Sequence, residues 1–286
     1  MILYNADDYG INPSQAKRIL YCAKNGVLNG ISIFVNSPEI ENCLKLIKNK
    51  DIQVRLHLNF REGHCLAEPK DIPLLVDEKG FFKLSFVDML KLSIIKEKDL
   101  ESQLKIECAC QLKRMEELMG DGYRLRIDSH QHYHIIPAVW RALISSSRDL
   151  GLEIEEIRIP VEPFMPFITH PNSWRYISFS GIVKSLLLHT LHYWNSVFGP
   201  KIDNLKMKAP LFFGMIFTTR MYCGAVSGLL PAFKALAQKQ GRDLELMFHP
   251  GGVYKGELYL DDKDYSFYRS PDRKKEAYTL CRLSSS

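Results

Sequence analysis

Cysteine pairing is the first thing the sequence lacks. Its seven cysteines, at positions 22, 43, 65, 108, 110, 223 and 281, form no CxxC motif. The closest two, Cys108 and Cys110, sit as CxC within a helix-period segment. An odd count with no framework spacing argues against a disulfide scaffold, and reduced thiols in a cytoplasmic chain are expected. No signal peptide is expected either, because Met1-Ile2-Leu3-Tyr4 runs straight into polar residues. Long apolar runs are missing too. The nearest approach to a membrane span, from Ile177 to Phe198, is interrupted by Lys184, His189, His192 and several serines. An amphipathic or semi-buried helix is expected there, and no membrane partner. Charge of one sign is scarce: 38 basic against 33 acidic residues give +5, too mild and too evenly spread to argue for nucleic acid. No repeat of fixed period and no low-complexity tract is present. A glycine-rich phosphate loop is absent as well. After the first candidate strand, Asn5-Ala6-Asp7-Asp8-Tyr9-Gly10 supplies two acids that would repel a phosphate, which argues against nucleotide binding.

What is present is ordinary globular composition over 286 residues, 46% apolar and 25% charged. That length suits one barrel-sized domain or two small ones. Candidate strands run over Ile2–Asn5, Gly30–Asn36, Gln53–Phe60, Arg124–Ser129, Glu155–Ile159 and Leu244–Phe248. Helix-period segments lie between them at Pro13–Asn25, Pro38–Lys48, Lys98–Met119, Pro137–Leu150 and Leu229–Lys239. Pro13, Pro38 and Pro137 fall where first helical turns begin, and Gly26, Gly120 and Gly151 where helices stop. This alternation is that of parallel βαβ units, and predicts an α/β chain closing as a (β/α) barrel-like domain over 1–286. An open doubly wound sheet is the alternative. The segment 160–228, rich in proline and aromatics, reads as a lid or rim.

In parallel α/β folds function collects at the carboxyl ends of strands. Those ends carry Asp7 and Asp8, Asn36, His57 and Asn59, then Asp128, His130, His132 and His134, then Arg158, and last His249. Five of nine histidines converge there, which plain core packing does not explain. Period-two alternation puts Arg55, His57 and Asn59 on one face of a strand, a face costly to bury without a function. Alternate histidines in Asp128-Ser129-His130-Gln131-His132-Tyr133-His134 suit metal binding. A site that closes at about four ligands cannot take them all, so one or two would orient water or substrate. His64, His170, His189 and His192 are assigned to surface or core packing. A carboxylate with two imidazoles on one side of a divalent ion leaves positions open for water and substrate, a hydrolytic design.

The blocks Asn5-Ala6-Asp7-Asp8-Tyr9-Gly10, His57-Leu58-Asn59, Asp128 to His134 and Glu245-Leu246-Met247-Phe248-His249-Pro250-Gly251 together resemble the signatures of the YdjC-like carbohydrate deacetylases. Chitooligosaccharide deacetylases belong to that family. The resemblance implies a barrel-like fold related to polysaccharide deacetylases, and an enzyme that hydrolyses the acetamido group of N-acetylated sugars. It implies Asp8, His57 and His130 as metal ligands, Asp7 as base, and His249 as acid or transition-state stabiliser. Arg158 would contact the catalytic Asp. Mg2+ is the family's ion, whereas two imidazoles and one carboxylate favour Zn2+ on ligand chemistry. Substrate contacts are assigned to Tyr9, Asn59, His132 and His134, with Phe60, Phe212 and Phe213 as further stacking candidates. Relative to the family, the C-terminal end is shortened after the helix opened by Asp272-Arg273 and Glu276. An incomplete barrel, or a homodimer in which a partner subunit covers that end, is expected. The alternatives in function are hydrolysis of another amide or of a phosphoester, and a non-catalytic sugar- or metal-binding homologue.

Overall fold

A computed structural model of the chain describes residues 1–120, 122–200, 202 and 205–283. Its strands are β1 (Ile2–Tyr9), β2 (Gly30–Ile33), β3 (Gln53–Leu58), β4 (Leu125–Ser129), β5 (Ile154–Ile157), β6 (Leu211–Phe213) and β7 (Leu244–Phe248). All pair in parallel, in the order β5-β4-β3-β2-β1-β7-β6. The sheet curls far enough for Lys208, just ahead of β6, to form a parallel bridge with Glu156 in β5. This is the barrel-like α/β architecture expected from the alternation. The helices are α1 (Pro13–Asn25), α2 (Ile40–Leu44), α3 (Phe86–Ile95), α4 (Glu97–Met119), α5 (Pro137–Asp149), α6 (Met165–Thr169), α7 (Phe179–Phe198), α8 (Cys223–Gln240), α9 (Tyr265–Tyr268) and α10 (Asp272–Arg282). Among the described residues no helix is long and apolar enough to cross a membrane.

Local chemistry accounts for the elements that were legible. Asn12 caps α1 by accepting from the Gln15 N–H, and Pro13 occupies the first turn. Several elements differ from expectation, among them α3, which no helix-period segment covers, and α2, which spans Ile40–Leu44 rather than Pro38–Lys48. β6 was not foreseen because only three residues pair, with no room for a period-two pattern. α8 starts at Cys223 and runs through Pro231, whose ring normally breaks a helix. Gly26 stands in extended backbone, so conformation does not demand glycine there. A Cβ at that position would lie 2.2 Å from the Leu280 carbonyl, and it is the close approach of α10 that excludes a side chain. α10 is thus packed tightly onto the start of the fold, and the Val27 N–H donates to the same carbonyl.

The loop after β5 is tied to the turn after β6 by Glu162. Its carboxylate accepts from the backbone N–H groups of Gly214, Met215 and Ile216. Burial raises its pKa to about 7, against three N–H donors that pull it down. A folded value above the ordinary 4.5 means the fold favours the protonated form. That contribution is complete below about pH 4.5 and is lost as pH rises through 7. Urea melts of Glu162→Gln should therefore show a flatter profile, the wild type losing on the order of 2 kcal/mol more than the variant between pH 5 and 8. Parallel profiles would show that Glu162 does not titrate in this range.

Candidate active site

Successive residues of a strand point to opposite faces, so Asp7 and Asp8 should not share a site. They do so because Asp8 adopts φ 65 and the β1–β2 register shifts between Ala6 and Tyr9. Gln131 and His132 likewise take left-handed backbone, at φ 48 and 61, in the tight turns that follow β4. Each such non-glycine residue costs on the order of 1–3 kcal/mol. At Asp8 and His132 this strained backbone stands beside the ends of β1 and β4 and goes with buried side chains.

Asp8, His57 and His130 offer donor atoms that all lie within 4.8 Å of one another, every residue buried. Asp8 Oδ1 is 3.0 Å from His130 Nδ1 and 3.4 Å from His57 Nε2. Each ring has acids behind it. His57 Nδ1 lies 2.6 Å from Asp128 Oδ1, and His130 Nε2 lies 3.1 Å from Glu62 Oε1 and 3.5 Å from Asp264 Oδ2. Carboxylates placed behind imidazoles fix ring orientation and raise ligand basicity. Burial lowers the His57 pKa, but the Asp128 charge overrides it and holds the ring at about 9. Burial acts likewise on His130, where Asp264, Asp8 and Glu62 hold it at about 10.

Asp7 faces the same space from another side. Arg158 grips both its oxygens, Nη1 to Oδ2 at 2.6 Å and Nη2 to Oδ1 at 2.7 Å, and Asn5 Nδ2 donates to Oδ1. Arg158 also reaches Asp128 and Glu245. Arg55, deeper in the barrel, pairs with Glu156 and Glu245. Arg273 on α10 bonds Asp8 Oδ2 at 2.6 Å, leaving Oδ1 directed at the two imidazoles. Asp7, Asp8, Asp128, Glu156 and Glu245 thus face Arg55, Arg158 and Arg273, an excess of acid over guanidinium that suits a cation. The fit is supported by the donor set itself, one carboxylate oxygen and two imidazole nitrogens brought within 4.8 Å of one another.

His249 follows β7, with Nε2 4.0 Å from Asp7 Oδ2 and Nδ1 unpartnered. Burial pushes its pKa down to about 4, so the ring is neutral near pH 7. Glu276 on α10 accepts from the His249 backbone N–H and from that of Met221, anchoring this corner.

The remaining sequence-assigned residues are placed differently. His132 is buried beside Phe212, its Nδ1 unpartnered and its pKa driven well below normal by burial and by Arg158. His134 is wholly enclosed, its ring nitrogens on Ser129 Oγ and the Arg158 carbonyl. Asn59 lies past the end of β3 and bonds Asn36 and the Glu62 backbone. Tyr9 is fully buried, its hydroxyl on the Cys43 carbonyl. Phe60 packs on Phe82 in the core, and Phe213 stacks on Phe233. Glu62, Asp264 and Arg273 join the site without having been singled out for it. Glu62 and Asp264 sit in loops with no period, whereas Arg273 lies in the Arg–Glu helix visible in the sequence.

The chain is 27% identical over 168 residues to a carbohydrate deacetylase of Danio rerio, covering 58% of this chain and 51% of that protein. It is 29% identical over 163 residues to a carbohydrate deacetylase of Thermoanaerobacter pseudethanolicus, covering 56% and 62%. A chitooligosaccharide deacetylase of Escherichia fergusonii is 26% identical over 159 residues, covering 54% and 58%. The alignments thus span about half to three-fifths of each relative's length. In fold, the chain resembles the crystal structure of an Enterococcus faecalis protein assigned to cellobiose-phosphate cleavage. The TM-score is 0.65 at 16% identity, covering 99% of this chain and 90% of that one. Residues 1–283 match the family model described as YdjC-like protein, and the chain belongs to that family.

Proposed function

We propose that the chain is a metal-dependent hydrolase that removes the acetyl group from N-acetylated sugars of the chitooligosaccharide class. One observation carries this reading: Asp8, His57 and His130 converge as a cation site while Asp7, gripped by Arg158, faces His249 across 4.0 Å. The names of the relatives supply the substrate class. A divalent cation held by Asp8, His57 and His130 would supply positive charge that polarises the acetyl carbonyl and acidifies water. Mg2+ is the ion by family precedent. Two imidazoles in the donor set support Zn2+.

This chain's own residues handle the proton. Asp7 Oδ2 takes it from the attacking water, with Arg158 fixing the carboxylate through both oxygens. His249 starts neutral, so the proton it can give the departing amine is the one Asp7 has collected. Acetate and a free amino sugar leave together. The buried His132 Nδ1 has no hydrogen-bond partner, which supports keeping His132 as a candidate substrate contact. The phosphoester alternative finds no support in the arginines: Arg55, Arg158 and Arg273 each already have a carboxylate partner.

Incubating the purified chain with N-acetylglucosamine oligomers should release acetate, with loss on chelation and recovery on adding cation. Sugar binding without release would instead favour a non-catalytic homologue. His249→Ala should lower amide turnover by about 10²–10⁴-fold. The loss should be smaller on an activated acetyl ester, whose leaving group needs no proton. Equal losses on both would assign His249 to the oxyanion or to substrate positioning.

A further inference from the structure

We infer that Cys22 and Cys281 form a thiol pair that a hydroperoxide oxidises to a disulfide, clamping α10 onto α1. The two helices meet along the faces that carry these residues. Cys22 and Gly26 lie one turn apart at the end of α1, as Ala277 and Cys281 do on α10. At Gly26 the approach is so close that an added Cβ would fall 2.7 Å from the Cys281 Cα. One turn back, Cys22 Sγ stands 3.8 Å from the Ala277 carbonyl oxygen, and in an α-helix that carbonyl receives the Cys281 N–H. The Cys22 sulfur is therefore held against the turn of α10 that ends in Cys281. Burial raises the Cys22 pKa, and the Cys281 thiol raises it further, by charge and by a thiol–thiol hydrogen bond. Cys108 and Cys110 stand closer in sequence, but two positions along a helix turn their side chains apart.

Exposure divides the roles. Cys281 is partly open to solvent, whereas Cys22 is wholly enclosed. The Cys281 sulfur attacks one oxygen of the peroxide, the O–O bond breaks, and water leaves with the thiol proton, giving a sulfenic acid. The Cys22 sulfur then attacks the sulfenic sulfur. An S–S bond forms, the S–O bond breaks, and the hydroxide takes the Cys22 proton and leaves as a second water. In sum, two thiols give up two electrons and two protons, and one hydrogen peroxide becomes two waters. The link would close almost the whole chain into one loop, where a disulfide restricts the unfolded state most. It would also fix the helix whose Arg273 bonds Asp8 and whose Glu276 accepts from the His249 backbone N–H.

A few equivalents of hydrogen peroxide, added to the reduced full chain, test this without reference to turnover. Non-reducing digestion and mass spectrometry should recover the Cys22 and Cys281 peptides joined, two hydrogens lighter than their sum. Titratable thiols should fall by two from the seven of the reduced chain. The oxidised chain should melt about 4–10 °C higher than the reduced one. In Cys22→Ala, dimedone should label Cys281 instead, because its sulfenic acid meets no second thiol. In Cys281→Ser neither the link nor a label on Cys22 should form. If one variant fails to fold, the other decides, since the two helices are altered separately. Recovery of both wild-type peptides as free thiols would overturn the pairing. So would Cys281 carried on to sulfinic acid, or a Cys65–Cys110 link in place of the expected one. A link between Cys22 and Cys281 with no rise in melting temperature would overturn the clamp.

Discussion

Asp7→Asn should leave cation binding intact and lower acetate release by about 10²–10⁴-fold, the usual range for losing a positioned base. An amide cannot take the water proton, yet it nearly preserves the carboxylate's shape. Arg158 would keep Asp128 and Glu245 as partners, so the barrel interior should hold together. Metal content by plasma emission, circular dichroism and turnover on the same preparation check each part. Loss of cation from Asp7→Asn would move Asp7 into the ligand set and undo the division between the two adjacent acids.

The second large effect concerns the ligands. Asp8→Asn, His57→Ala and His130→Ala should each reduce cation affinity at least ~10-fold and take turnover with it. Asp8 has one oxygen committed to Arg273 and the other facing both imidazoles. An amide there gives up the negative charge that draws the cation in. His57→Ala also strips Asp128 of its imidazole partner, leaving Ser32 and Arg158 to hold that carboxylate. Titration of chelator-treated protein with Mg2+ and with Zn2+ gives the affinities and separates the two ions. A variant with wild-type affinity would remove its residue from the first ring of ligands.

The sequence carried those features that depend on period and position. Alternation in Arg55-Leu56-His57-Leu58 is realised as written: Arg55 and His57 reach buried acids, whereas Leu56 and Leu58 enter the apolar core. Residues at strand ends were legible because parallel topology brings all those ends together. Contacts made by loops and by distant helices were not. Nothing local in Glu62 or Asp264 announces that both will stand behind His130, since 202 residues of chain separate them. Tyr9 shows the converse failure. The register shift that brings Asp8 into the site turns the next residue away, so proximity in sequence misplaces it. His134 reads as a substrate contact from its place in the alternating run, but the left-handed turn through Gln131 and His132 breaks that alternation and sends it to Ser129.

The measurement closest to the central claim asks which bond breaks. An N-acetylated glucosamine disaccharide and a phosphorylated disaccharide would be treated in parallel with the cation-loaded chain, and the products read by mass spectrometry. The account predicts a disaccharide that keeps its glycosidic bond and lacks one acetyl group, with an equal amount of acetate and no change in the phosphorylated sugar. Monosaccharides, inorganic phosphate, or an unaltered N-acetylated disaccharide would contradict it.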